Sequence, residues 1–161
     1  MNDEEALIVH RSSFIVQKKP MIKIRTVDEL DISPGARVFY RVDYNVPLEG
    51  ATVSDATRIE ETIPTLNLLR ERGAAIILAS HLGRPKGERN EKYSLKPVRD
   101  RLASITGLPV QWSDDCIGPE AERKAGALKP GELLLVENLR FHAGEEGNDR
   151  GFAEGLRKLG D

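Results

Sequence analysis

The sequence predicts an α/β fold, an open parallel sheet with helices on both faces, and three observations carry that prediction. Residues 74–79 and 133–136 are apolar runs with no polar break, as expected of strands buried on both sides. Between such runs lie stretches whose apolar residues recur three and four apart, the mark of helices with one buried face. Their alternation along the chain calls for parallel strands joined by right-handed crossovers.

Each element follows from local chemistry. Residues 1–20 open with acids, hold the triplets Leu7-Ile8-Val9 and Phe14-Ile15-Val16 without a sustained period, and end in Lys18-Lys19-Pro20. They are expected to form an extension outside the core. Ser33-Pro34-Gly35 is a turn, and residues 38–47 form a β-rich first strand stopped by Pro47. Asp55 or Thr57 caps a helix through Ile59, Ile63, Leu66 and Leu69, which Gly73 ends. Residues 74–79 make the second strand. Ser94 caps a helix with Val98, Leu102 and Ile105 on one face and Gly107 at its end. Residues 110–112 are a short third strand, Pro119 opens a brief helix, and Pro130-Gly131 turns the chain into the fourth strand at 133–136. A last helix buries Phe152, Leu156 and Leu159. The sum is a Rossmann-like, three-layer αβα arrangement.

Composition bounds the function. A chain of 161 residues, 39% hydrophobic and 31% charged, suits one globular domain with a real core. No apolar stretch approaches the roughly 20 residues of a spanning helix. The lone cysteine, Cys116, excludes an internal disulfide and fits a reducing cytoplasm. Cys116 has no second thiol or basic residue near it in sequence and is expected to be inert. A net charge of −2 gives no general attraction to nucleic acid or anionic lipid, so a basic site must be local.

Such a site is visible at the strand ends. The first strand delivers Asp43 and Asn45, the second leads into Ser80-His81-Leu82-Gly83-Arg84-Pro85-Lys86-Gly87, and the fourth delivers Glu137, Asn138, Arg140 and His142. Parallel strands bring these ends to one edge, where open α/β sheets bind ligands. Two arginines suit phosphate or carboxylate, while Asp and Asn suit hydroxyls. Taken singly, Asp43 and Asn45 could cap a turn, His81 could be a structural histidine, and Arg58, Arg84 and Arg140 could be solvated charges. Glu145-Glu146 is expected to complement a helix amino terminus. No G-x-x-x-x-G-K-[ST], G-x-G-x-x-G or Cys/His metal spacing occurs.

Four strings closely resemble phosphoglycerate kinase, in that family's order. They are Arg41-Val42-Asp43-Tyr44-Asn45-Val46-Pro47, then Thr57-Arg58-Ile59 with Pro64-Thr65, then the 80–87 string, then Glu137-Asn138-Leu139-Arg140-Phe141. The resemblance runs from about Met21 to the last residue, with Tyr44 where Phe is usual and Ala56 where an acid is common. It implies phosphoryl transfer between 1,3-bisphosphoglycerate and ADP, with 3-phosphoglycerate and ATP as the other pair. It also implies that Asp43 and Asn45 hold the glycerate end and that His81, Arg84 and Arg140 grip the 3-phosphate. Leu82 and Gly83 count among the substrate-binding residues, and Arg58 is the catalytic one.

By the same resemblance, residues 21–161 are part of the amino-terminal domain. The nucleotide, as Mg-ATP or Mg-ADP, belongs to a carboxyl-terminal domain absent from this sequence. A monomer in the cytoplasm is implied, with no nucleic-acid or membrane partner. The sheet is then expected to be incomplete at its carboxyl end, with Phe152, Leu156 and Leu159 only partly covered and stability marginal. The chain alone is expected to be inactive as a kinase. The alternative is a truncated or vestigial module that binds anions without catalysis.

Overall fold

A computed structural model of the chain describes residues 26–161, so the expected extension at 1–20 lies outside the described residues. Its centre is a four-stranded parallel sheet ordered β1-β4-β6-β5, from β1 (Arg37–Arg41), β4 (Ala75–Ala79), β6 (Leu133–Val136) and β5 (Val110–Ser113). Every residue of β4 and β6 is buried, as unbroken aliphatic runs require at the middle of a two-faced sheet.

Alternate residues of these strands serve two cores. Ile76, Leu78, Leu133 and Leu135 pack with Leu66 and Leu69 of α2 (Ile63–Glu71) and with Val98 and Leu102 of α3 (Lys96–Thr106). Ile77, Ala79, Leu134 and Val136 pack on the other face with Ala121 and Ala125 of α4 (Pro119–Gly126) and Phe152 of α6 (Arg150–Arg157). The three-layer expectation is met. The expected partial cover of the last helix holds for Leu156, which is half-buried, but not for Phe152 at 8% exposed or Leu159 at 0%, because this second core closes over both. Burying one such aliphatic or aromatic side chain contributes roughly 1.5–3 kcal/mol.

The first strand is shorter than residues 38–47. β4 ends at Ala79, so the ladder loses its partner there, although the Val42 amide still donates to the Ala79 carbonyl at 2.9 Å. Beyond it the Tyr44 amide donates to the Ser80 hydroxyl at 2.9 Å, a side chain continuing what the strand began. Val42, Tyr44 and Val46 face in while Asp43 and Asn45 face out. A hairpin follows that the sequence did not suggest, β2 (Leu48–Glu49) against β3 (Thr52–Val53).

The expected helix of residues 57–71 is two helices. α1 (Thr57–Glu60) stops before Glu61-Thr62, and α2 begins beyond, with Pro64 in its first turn. Pro64 has no N–H to offer the Glu60 carbonyl, so a continuous helix would lose a bond there. Asp55 does cap the start, accepting from the Thr57 amide at 2.9 Å. Ser94 caps α3 only weakly, by a 3.3 Å bond from the Lys96 amide. The stronger cap is Glu137 from the end of β6, accepting from the Ser94 hydroxyl at 2.8 Å and the Leu95 amide at 2.9 Å. Gly107 then ends α3 at φ +67°, the left-handed position expected of it.

Candidate functional site

The carboxyl ends of β1, β4 and β6 converge, and hydrogen bonds join the loops that leave them. Asn45 accepts from the Gly83 amide through Oδ1 at 2.9 Å. The Leu139 amide donates to the Ser80 carbonyl at 3.0 Å, and the Gly87 amide to the Arg140 carbonyl at 3.1 Å. Asn138 donates through Nδ2 to the Leu82 carbonyl at 2.8 Å. Gly83 sits at φ +63°, and a Cβ there would lie 2.4 Å from the Tyr93 ring, so only glycine fits.

Each predicted residue has a definite place. Asp43 accepts from the Asn45 amide, the local turn role, and also pairs with Arg58 Nη1 at 2.5 Å. Arg58 comes from α1, with its side chain 50% exposed. His81 is half-buried, and its imidazole is held below its ordinary value by that burial and then by the Arg140 guanidinium. It also feels Asp43, Glu145 and Arg41, which places it amid the charged cluster. Arg140 donates through Nη1 to the Gly83 carbonyl at 3.2 Å and through Nε to Glu145 at 3.0 Å. Leu82 is buried, and Arg84 is exposed, with no ion-pair partner among the described residues. Asn45, Leu82 and Gly83 line a small cleft together with Val46, Leu48, Lys92 and Tyr93. The arrangement offers guanidinium and imidazole donors beside a carboxylate and an amide, suited to a small ligand with both anionic and hydroxyl groups.

Comparison with known proteins decides the family: the phosphoglycerate kinase family model matches residues 27–161. The chain belongs to the phosphoglycerate kinase family. It is 51% identical over 134 residues to phosphoglycerate kinase of Geobacter metallireducens, covering 83% of this chain and 34% of that protein. The Moorella thermoacetica phosphoglycerate kinase is 52% identical over 136 residues, with 84% and 34% covered. The chain thus spans about a third of the length of these curated relatives. Among solved structures, phosphoglycerate kinase from Pyrococcus horikoshii aligns with a TM-score of 0.76 at 27% identity, over 86% of this chain and 35% of that one. The enzyme from Coxiella burnetii aligns with a TM-score of 0.73 at 32% identity, over 84% and 33%. No helix among the described residues is long and apolar enough to cross a membrane.

Within this family fold, some residues expected at the site do other work. Glu137 and Asn138 are each 1% exposed and tie the β6 end to α3 and to the 80–87 loop. His142 turns away to Asp115, with Nε2 and Oδ1 2.6 Å apart, so Nε2 carries the proton. The fold thereby brings a histidine near Cys116 that lies 26 residues away in sequence: ligand atoms of Asp115, Cys116 and His142 lie within 4.8 Å of one another. Asp115 Oδ1 already accepts both from His142 and from the Cys116 amide, and burial, then the Asp115 charge, push the thiol up. The Asp115 oxygen is thus already engaged, and the thiol is buried. Arg41 and Glu145 pair at 2.5 Å beside this edge, a contact that the reading of Glu145 as a complement to a helix amino terminus did not contain. In the sequence nothing joins them: Arg41 stands at the head of the first matching string, and Glu145 is an acid five residues beyond Arg140.

Proposed function

We propose that residues 21–161 are the phosphoglycerate-binding part of a phosphoglycerate kinase, the glycolytic enzyme that moves a phosphoryl group between the acyl phosphate of 1,3-bisphosphoglycerate and ADP. The observation that carries this is the junction at the sheet edge, where the Asp43–Arg58 pair stands beside the Asn45–Gly83–Arg140 chain of hydrogen bonds. In this reading His81, Arg84 and Arg140 take the 3-phosphate of 3-phosphoglycerate, with Leu82 and Gly83 against it. Asp43 and Asn45 hold the hydroxyl and carboxylate end.

Arg58 is the catalytic residue. Asp43 engages one of its nitrogens and leaves the remaining donors for the oxygens of the group in transfer. A permanently charged planar guanidinium lowers the barrier there by electrostatics and positioning, without proton transfer. Neither G-x-x-x-x-G-K-[ST] nor G-x-G-x-x-G, the glycine-rich loops that cradle nucleotide phosphates, occurs in the sequence. We place Mg-ATP or Mg-ADP on a carboxyl-terminal domain outside this sequence, in a monomeric cytoplasmic enzyme without nucleic-acid partners. The intact set of site residues speaks against a vestigial module.

Calorimetric titration of the chain with 3-phosphoglycerate tests the assignment. Binding is expected at millimolar ligand or below. Arg140→Ala removes one charged hydrogen-bonding partner, worth about 1.5–3 kcal/mol, and should weaken binding roughly 10- to 150-fold. A chain that shows no binding at millimolar 3-phosphoglycerate would overturn the placement of the substrate on this edge.

A further inference from the structure

Glu145 lies on the short helix α5 (Ala143–Glu146), and its side chain is only 9% exposed although it is ionisable. Its two oxygens are divided between two cations. Oε2 accepts from Arg140 Nε at 3.0 Å, and Oε1 accepts from Arg41 Nη2 at 2.5 Å. Arg140 is fixed from a second side by the bond from Nη1 to the Gly83 carbonyl, and its own carbonyl receives the Gly87 amide. A guanidinium carries five N–H donors in a rigid plane. With Nε and one Nη1 hydrogen engaged, the Nη2 end is left to a ligand, in an orientation the protein has already set.

From this geometry we infer that Glu145 is a positioning residue for the anion site: its buried carboxylate aims the Arg140 guanidinium and keeps Arg41 and Arg140 together despite their like charge. The inference rests on the assignment of phosphoglycerate to this edge. It adds a residue that does not touch the ligand yet governs how tightly the ligand is held. A glutamine at 145 would keep an acceptor for only one of the two arginines and would turn donor hydrogens toward the other. Either Arg140 would then lose its Nε anchor, or Arg41 would lose the bond that holds it beside Arg140.

The sign of the effect distinguishes positioning from mere proximity of charge. Deleting a carboxylate beside an anion site tightens anion binding by Coulomb's law if the site keeps its shape. Positioning demands the opposite. Calorimetric titration with 3-phosphoglycerate is compared for the unaltered chain, Glu145→Gln, Glu145→Asp and Glu146→Gln. Glu146 serves as the charge control, since it lies 3.6 Å from the same Arg140 Nε but is 48% exposed.

Glu145→Gln is expected to weaken binding at least tenfold, whereas Glu146→Gln leaves it unchanged or tighter. Glu145→Asp keeps the charge but withdraws the carboxylate by one methylene, and is expected to weaken binding several-fold. It also keeps the test decisive if the glutamine variant does not fold. Binding by Glu145→Gln or Glu145→Asp as tight as by the unaltered chain, or tighter, would overturn the inference. An unaltered chain that fails to bind would instead overturn the placement of phosphoglycerate itself.

Discussion

Substitutions at Tyr44 and Thr62 should be unequal in cost and should partly cancel when combined. Tyr44 is fully buried between the two exposed polar residues Asp43 and Asn45, and its hydroxyl lies 2.8 Å from Thr62 Oγ1. Thr62 has one hydroxyl proton, and it goes to the Ile59 carbonyl at 2.7 Å, so the phenol is the donor in the pair. Thr62→Val therefore leaves a buried donor with nothing to bond, a loss of about 1–3 kcal/mol. In Tyr44→Phe the threonine keeps its bond to Ile59, and only the net value of one hydrogen bond goes, about 0.5–1.5 kcal/mol. The double variant replaces both partners by apolar groups of similar shape and removes the orphan. It should be more stable than Thr62→Val alone.

Urea unfolding gives the cycle directly, and the melting temperature of Thr62→Val should fall by roughly 2–12 °C for a chain of this size. A second readout is alkaline pH. Burial pushes the Tyr44 phenol up from 10.0 to about 12, so its contribution is present below pH 10 and disappears as pH rises toward 12. Tyr44→Phe should lack that decline. A double variant less stable than Thr62→Val would refute the donor assignment.

Two further outcomes are expected. His81 is held below its ordinary 6.5, so the unfolded chain binds the proton more readily; its contribution is complete above that value and declines as pH falls through it. His81→Asn should be less sensitive to pH in that window, and equal slopes in urea midpoints against pH would contradict the burial of the imidazole. Gly83→Ala would bring a Cβ to 2.4 Å from the Tyr93 ring at φ +63° and should cost about 2–3 kcal/mol of unfolding free energy. A change below about 0.5 kcal/mol would mean that the loop has another conformation available.

Much of the layering was legible because β4 and β6 are unbroken aliphatic runs, and a strand buried on both faces has no other composition available. The hairpin of β2 and β3 was not, since two residues on each side make no period to read. The break between α1 and α2 was written in Pro64, but the apolar spacing of Ile59, Ile63 and Leu66 runs straight across it. At the site, residues adjacent to strand ends could be gathered on one edge by topology alone. Partnerships across long sequence distances could not: Arg41 and Glu145 lie 104 residues apart, and Glu137 caps a helix begun more than 40 residues earlier. Burial, which converts an ordinary glutamate into a structural anchor, is a property of the assembled molecule.

The bonds linking Ser80 to Leu139, Gly83 to Asn45 and Gly87 to Arg140 bear on the kinetics and entropy of capture. Three loops leaving a sheet independently would each lose conformational freedom when a ligand arrived, and binding would be weakened by that ordering. Here the ordering is completed by folding. Under the proposed assignment an arriving anion would meet donors whose spacing these bonds have already set, and discrimination would rest on the match to that spacing. A ligand of another length or charge geometry should then bind more weakly, because receiving it would mean breaking one of these bonds.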